Sequence, residues 1–270
     1  MASATVLKTM SYITADVLGV TVSPLTTDEA LEEIERLIKT QGHSHVVFPN
    51  LFLVTEARRN PSYRSALNSA QLSLADGTPV VWALRWLGHR AASRVSGPDM
   101  FELVNSRAEE RGYSVYLLGG AVENNAERVA RKLKTLHPNL GIAGTFSPPA
   151  GPVQGDLEKR ILADIARVRP DILWVGLGSP MQETWLWRNR DSIGARVSLA
   201  VGGTFNYYNG TRSRAPRWMR KAGLEWAYRV AQDPPLFWKK RFYSFPQEFV
   251  VPLALQVCRS LKKSGPPTAR

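Results

Sequence analysis

The sequence predicts an α/β protein with a mostly parallel sheet and helices on its faces. Two observations carry this. Short apolar runs alternate with longer amphipathic stretches along 270 residues, the order expected of βαβ units. Several apolar runs also stop at glycine or Asp-Gly immediately ahead of a helical pattern. In an open α/β sheet those positions are the carboxyl ends of strands, where ligands bind. A hydrophobic content of 44% in a chain of this length is enough for a substantial core.

The elements follow in order. In TTDEALEEIERLIKT, Thr26 and Glu29 make a capping box ahead of Leu31, Ile34, Leu37 and Ile38 on one helical face. His45–Phe48 is a short buried strand, and Asn50 stands between it and the helix in LFLVTEARR, where local chemistry makes it a cap. AQLSLADG is a second strand ending at Asp76-Gly77, and TPVVWALRWLG opens a helix in which Thr78 caps and Pro79 takes the first helical position. That division leaves the Asp76 carboxylate available at the strand end, where a turn aspartate and a general base are two readings of equal standing.

SVYLLGG is a strand ending in Gly119-Gly120, followed by the helix ENNAERVARKLKTLH. DILWVGLGSPMQETWLWRN is a strand, a turn at Gly178 and a helix. Ser179-Pro180-Met181-Gln182 reads there as a capping box, and the turn offers backbone N–H groups to a phosphate. RVSLAVGGTFNYYNG runs a strand into Gly202-Gly203. Arg94 and Asp99 flank a Gly-Pro turn, either as a surface ion pair or with the arginine gripping substrate.

Several chemistries are excluded as sequence signals. GGAVEN lacks the third glycine of a dinucleotide fingerprint, and no P-loop pattern occurs. His43, His45, His89 and His137 have no metal-ligand spacing, and no D-x-D pair is present, so neither a metal nor another cofactor is expected. Cys258 is alone, so no intrachain disulfide forms.

The charge is lopsided. Residues 211–270 hold 13 of the 35 Lys and Arg but only 3 of the 23 Asp and Glu, a net of +10 out of +12. The expected organisation is a near-neutral core over residues 1–210 and a basic, mainly helical C-terminal appendage over 211–270, which points to an anionic partner. The N-terminal residues lack the pattern of a signal peptide, and no run reaches the roughly 18 apolar residues of a spanning helix. A cytoplasmic protein that touches the membrane from inside is the expectation. A nucleic-acid-binding protein using the basic segment is the alternative, disfavoured by the neutral body with glycine turns at its strand ends.

Six stretches, LADGTPVVWALRWLG, RVSGPDMFELV, VYLLGG, PDILWVGLGSPMQE, AVGGTFNYYNG and RAPRWMRKAGLEWAYRV, resemble in content and order the WecG/TagA/CpsF glycosyltransferases, over about Ile13 to Phe242. The resemblance implies a Rossmann-like core with a C-terminal appendage. It implies inverting, metal-independent transfer from a UDP-sugar to a lipid-diphosphate-linked saccharide at the inner face of the cell membrane, in bacterial polysaccharide synthesis, with a capacity for homo-oligomer formation and no nucleic-acid partner. It places the catalytic Asp on Asp76, and the pocket asparagine, arginine and glutamine on Asn50, Arg94 and Gln182. The appendage arginines fall among Arg214, Arg217, Arg220 and Arg229. Some are expected to close over the diphosphate, while others, with Trp218, Trp226 and Trp238, rest on lipid headgroups. Gly119, Gly120, Gly178 and Gly202 complete the expected substrate site. Two departures stand out: Phe48 replaces the usual Thr two residues before the pocket asparagine, and Asn206 stands where many relatives have Asp.

Overall fold

The computed structural model describes residues 13–120, 123–221, 224–232 and 246–263, excluding the side chains of Lys221, Trp226, Arg229, Val230, Pro246 and residues 260–263. It opens with an antiparallel hairpin, β1 (Ala15–Val17) and β2 (Val20–Val22). Six further strands form a parallel sheet among the described residues: β3 (Ser44–Val47), β4 (Leu72–Ser73), β5 (Ser114–Gly119), β6 (Gly141–Phe146), β7 (Ile172–Gly176) and β8 (Val197–Ala200). Their order across the sheet is β4-β3-β8-β7-β5-β6.

Both faces of this sheet are covered, which is why its strands read as continuous apolar runs. Val46, Val115, Leu117 and Trp174 pack on one side with α1 (Thr27–Lys39), α5 (Gly97–Arg111) and α6 (Asn125–Leu136). Val47, Tyr116, Leu118 and Val175 pack on the other. There they meet α2 (Leu51–Arg59), α3 (Pro61–Asn68), α4 (Thr78–Trp86), α7 (Gly155–Val168) and α8 (Met181–Asn189). The alternation follows the period-two geometry of a strand. Trp174 is fully buried because Asn105 Oδ1 accepts its indole N–H at 3.1 Å, a pairing that removes the cost of a stranded donor.

The capping box at Thr26–Glu29 forms as expected. The second strand is much shorter than the sequence suggested, being confined to Leu72–Ser73, although Leu74 still bridges Ser23. The hairpin and the elements α3, α5, α7 and β6 were not anticipated.

Among the described residues after Thr211, Ala215, Glu225, Phe249 and Leu253 are buried against the body. α9 (Phe205–Tyr208) precedes Thr211, and after it come α10 (Arg217–Lys221), α11 (Glu225–Gln232), a π-helical turn at Pro246–Val250 and a helix at Val251–Lys263. Phe249 and Leu253 are buried in the core layer shared with α2, α3 and α4. Arg59 pairs with Glu248. Gln256 Oε1 accepts the Leu18 N–H at 3.0 Å, while its Nε2 donates to the Asp16 carbonyl at 2.7 Å. No helix among the described residues is long and apolar enough to cross a membrane.

Candidate active site

A cleft opens at the carboxyl ends of β4, β3 and β8, beside the turn from β7 into α8. Its walls include Phe48, Asn50, Asp76, Gln182, Gly202, Asn206, Tyr207 and Arg212. The sequence therefore located four of its expected members, Asn50, Asp76, Gln182 and Gly202, in one place. Phe48, the departure from the family pattern, is 4% exposed and part of the wall. An apolar ring there gives the ligand a flat face where a hydroxyl would offer a hydrogen bond.

Asn50 caps α2: its Oδ1 accepts from the N–H groups of Phe52 at 3.0 Å and Leu53 at 3.2 Å, which leaves its amide NH₂ to face the cleft wall. Asp76 is half-buried, and its N–H donates to the Pro49 carbonyl at 2.9 Å, tying the end of β4 to the end of β3. The start of α4 differs from the expectation. Gly77, not Thr78, is the N-cap, with no side-chain cap bond, and Thr78 and Pro79 are already helical. Gly77 adopts φ +109°, a conformation that side chains resist, and this lets the chain swing from β4 into α4 within one residue of Asp76.

The turn into α8 also differs. The helix starts at Met181 behind a cis Ser179–Pro180 bond, with no side-chain cap, so the predicted capping box is absent. The Gly178 N–H, expected to face a phosphate, instead donates to Gln182 Oε1 at 3.2 Å. The Gln182 amide is 2% exposed and donates in turn to Glu183 Oε1 at 2.8 Å. Ser179 Oγ donates to the same oxygen at 2.6 Å, and Tyr63 Oη donates to Glu183 Oε2 at 3.2 Å. Burial pushes the Glu183 carboxyl above the usual glutamate range, against the opposing effect of the hydrogen bonds from Ser179, Gln182 and Tyr63. Burial first, and the Glu183 charge second, push the Tyr63 hydroxyl up as well. The Gln182 amide also donates to Ser179 Oγ at 3.3 Å, so this buried network, which sequence reasoning missed, holds the Gln182 side chain fixed in the cleft wall.

Beyond the cleft lies a charged hub centred on Asp99. Its Oδ1 accepts from Arg214 Nη2 at 2.5 Å and Arg220 Nη1 at 3.3 Å; its Oδ2 accepts from Arg94 Nη2 at 3.3 Å and Ser96 Oγ at 2.5 Å. Arg94 Nη1 also reaches Glu225 Oε2 at 2.9 Å. Burial raises the Asp99 carboxyl, but the Ser96 hydroxyl and the Arg214 and Arg94 guanidinium groups outweigh it and hold the group below the usual aspartate range. Arg94–Asp99 is thus one edge of a partly buried six-residue cluster rather than an isolated surface pair. Among the described residues, Arg214 and Arg220 each bury an Nε–H that no acceptor meets.

The remaining expected residues lie apart from the cleft. Gly119 and Gly176 give up their side chains to the ring of Phe205: a Cβ would come within 2.5 Å and 2.9 Å of it. The ring fills the end of the sheet between β5 and β7, a topological switch point. Gly120 accepts from Asn125 Nδ2 at 3.0 Å and does not line the cleft. Arg217 is exposed on α10, and the side chain of Arg229 lies outside the described residues. The basic-segment arginine that does line the cleft is Arg212, which the expectation for the appendage left out. Among the described residues no three His, Cys, Asp or Glu side chains are grouped to hold a metal ion.

The chain matches the Glycosyl transferase WecG/TagA/CpsF family over residues 15–263. It is 34% identical over 194 residues to an N-acetylglucosaminyldiphosphoundecaprenol N-acetyl-beta-D-mannosaminyltransferase of Bacillus subtilis strain 168, covering 71% of this chain and 72% of the relative. It is 30% identical over 236 residues to a protein of the same description from Staphylococcus aureus strain MRSA252, covering 86% and 89%. With an intact α/β core, a cleft at the strand ends and a match that spans nearly all of its length, the chain belongs to the WecG/TagA/CpsF family of glycosyl transferases.

Proposed function

We propose that this glycosyltransferase moves an N-acetylhexosaminyl-type sugar from a UDP-sugar to a polyprenyl-diphosphate-linked saccharide, with inversion, during bacterial cell-surface polysaccharide synthesis. The observation that carries this is the convergence of Asp76, Asn50 and Gln182 on one cleft at the ends of β4, β3 and α8. The names of the relatives, which specify an N-acetylglucosaminyl-diphosphoundecaprenol acceptor and an N-acetylmannosaminyl product, support the lipid-linked acceptor and the sugar class.

In this mechanism the Asp76 carboxylate removes the proton from the acceptor hydroxyl as its oxygen attacks the anomeric carbon, and UDP departs on the opposite face. Asn50 orients the sugar through its amide, and Gln182, held by its own network, shapes the wall beside it. The cleft has a volume of about 160 Å³, below the roughly 300–1,000 Å³ of a complete small-molecule site. It encloses the reacting end of the donor and leaves the diphosphate to groups at its rim. Arg212 at the rim and the Asp99 hub supply guanidinium groups, which bind phosphate oxygens in pairs and stabilise the charge that develops on the leaving group. That division of labour assigns no step to a metal ion.

The basic C-terminal residues keep two proposed roles, closure over the diphosphate and docking on the inner face of the membrane. Trp218, 65% exposed, is available for docking, whereas Trp238 lies outside the described residues. The inward aim of Arg214 and Arg220 at Asp99 speaks for an anionic substrate over a nucleic-acid surface. The decisive assay is UDP release across a panel of UDP-sugars with a prenyl-diphosphate-linked N-acetylglucosamine acceptor. Acceptor-dependent release from one of them is expected, and none from any would overturn the proposal.

A further inference from the structure

Helix α4 presents an outer surface that its core packing does not explain. Val80, Val81, Ala83 and Leu84 are buried, so the remaining positions face outward. There a solvated helix carries polar residues, yet this one carries Trp82 and Trp86, 49% and 57% exposed. The two indoles are four residues apart and share one face. Single exposed apolar residues are ordinary, but a paired aromatic face is not.

Along this stretch of the chain the charge is of one sign. From Gly77 to Pro98 the chain contains Arg85, Arg90 and Arg94 and no Asp or Glu. Arg85 and Arg90 are exposed. On β1, which packs against α4, Asp16 is engaged by the Gly19 N–H and by Gln256 Nε2, each at 3.0 Å. Further exposed apolar side chains flank β1: Ile13 just before it, and Val251 and Leu255 on the helix that Gln256 ties to it.

We propose that this face of α4 is a docking surface of the core for an anionic lipid bilayer, distinct from the basic C-terminal segment. Indole rings favour the headgroup zone, and arginines beside them favour anionic lipid. A second copy of the chain is a poorer occupant. A two-fold contact would set Arg85 and Arg90 against their own equivalents with no acidic partner in the patch. Position supports the same occupant. Because α4 starts at Thr78, a bilayer resting on Trp82 and Trp86 lies roughly 9–15 Å along the helix axis from Asp76. A saccharide and its diphosphate span that gap, so the lipid portion of the acceptor need not leave the membrane. This last point rests on the proposed function; the docking itself does not.

The test uses the full chain with phosphatidylcholine vesicles, with and without phosphatidylglycerol, in a cosedimentation assay. Trp82→Ser with Trp86→Ser should weaken binding at least about tenfold on both vesicle types. Arg90→Gln should weaken it about fivefold on the anionic vesicles only. Both variants should retain turnover of a short-chain, water-soluble acceptor within about twofold, the ordinary scatter of surface changes, while losing turnover of the vesicle-borne one. Unchanged vesicle binding by both variants would overturn the proposal. So would a shift from oligomer to monomer by light scattering on substitution of the tryptophans, which would make the face a self-association surface. If the tryptophan variant melts early, Arg90→Gln decides alone. A wild-type protein that turns over neither acceptor would defeat the proposed function, and the vesicle arm would still decide the docking face.

Discussion

Replacing Glu183 by glutamine isolates the buried network behind the cleft. Glu183 is 1% exposed, and its side-chain partners, Ser179, Gln182 and Tyr63, are all neutral. Burial without a cation raises its carboxyl, so the native state holds a proton that the unfolded chain releases above about pH 4.5, the ordinary glutamate value. A raised acid contributes stability that is complete below that pH and declines as pH rises toward the native value. One proton is worth about 1.4 kcal/mol per pH unit. Glutamine keeps the shape and the acceptor oxygen but cannot ionise, so Glu183→Gln should be spared this decline. Thermal melts of both proteins at pH 5, 6, 7 and 8 provide the assay, with each pair compared at the same pH so that other titrations cancel. The variant should gain on the parent as pH rises from the ordinary glutamate value toward the raised native one, by roughly 3–6 °C per pH unit within that window for a chain of this size, and level off above it. Turnover should survive, because Gln182 keeps its acceptor. A melting difference that is flat from pH 5 to 8 would show that Glu183 exchanges no proton on folding, and the reasoning from burial would fail.

Asp76→Asn should leave the melting temperature near that of the parent and lower kcat by on the order of 10²–10⁴-fold, the usual cost of losing a general base; near-full activity in the UDP-release assay would remove Asp76 from the chemistry. Arg214→Ala should lower kcat/KM about 10- to 100-fold on a water-soluble acceptor, the range for a lost charge-assisted hydrogen bond, and a defect seen only with vesicle-borne acceptor would reassign it to docking. Prolonged EDTA treatment should leave turnover intact; inactivation reversed by Mg²⁺ or Mn²⁺ would contradict the arginine-based account of the leaving group. Leu253→Ala, at a fully buried site, should cost about 2–5 kcal/mol in chemical denaturation, whereas a neutral effect would mean that the helix Val251–Lys263 is not part of the core.

What the sequence made legible is what is local. The Thr26–Glu29 box spans four residues and forms as read. Asn50, Asp76, Gln182 and Gly202 could be picked out because each lies just past an apolar run, and a parallel sheet gathers all such ends on one edge. The start of α4 was misassigned because Gly77, Thr78 and Pro79 are all acceptable near a helix N-terminus, and only the backbone angles separate them. In the hub Asp99 meets Arg214 and Arg220 across 115 and 121 residues, a distance no periodicity bridges. Gly119 resembled a ligand-binding turn because glycine also serves close packing, and nothing beside it announces Phe205. Nothing in the sequence singled out Glu183; that Tyr63 meets it is a fact of α3 lying against α8.

The bond between Leu18 and Gln256 has a consequence for how the chain matures. Leu18 holds φ +55°, a left-handed turn that a leucine enters only under constraint. The acceptor for its N–H comes from 238 positions later. The hairpin therefore leaves the ribosome long before the residues that complete it. Until Phe249, Leu253 and Gln256 arrive, the core layer beside α2 and α4 is incomplete on its outer side. Such late-sealing contacts slow folding and prolong the exposure of apolar surface. A nascent chain stalled after β8 should accordingly be a strong chaperone client, and release of the finished chain should coincide with its loss of protease sensitivity at the hairpin.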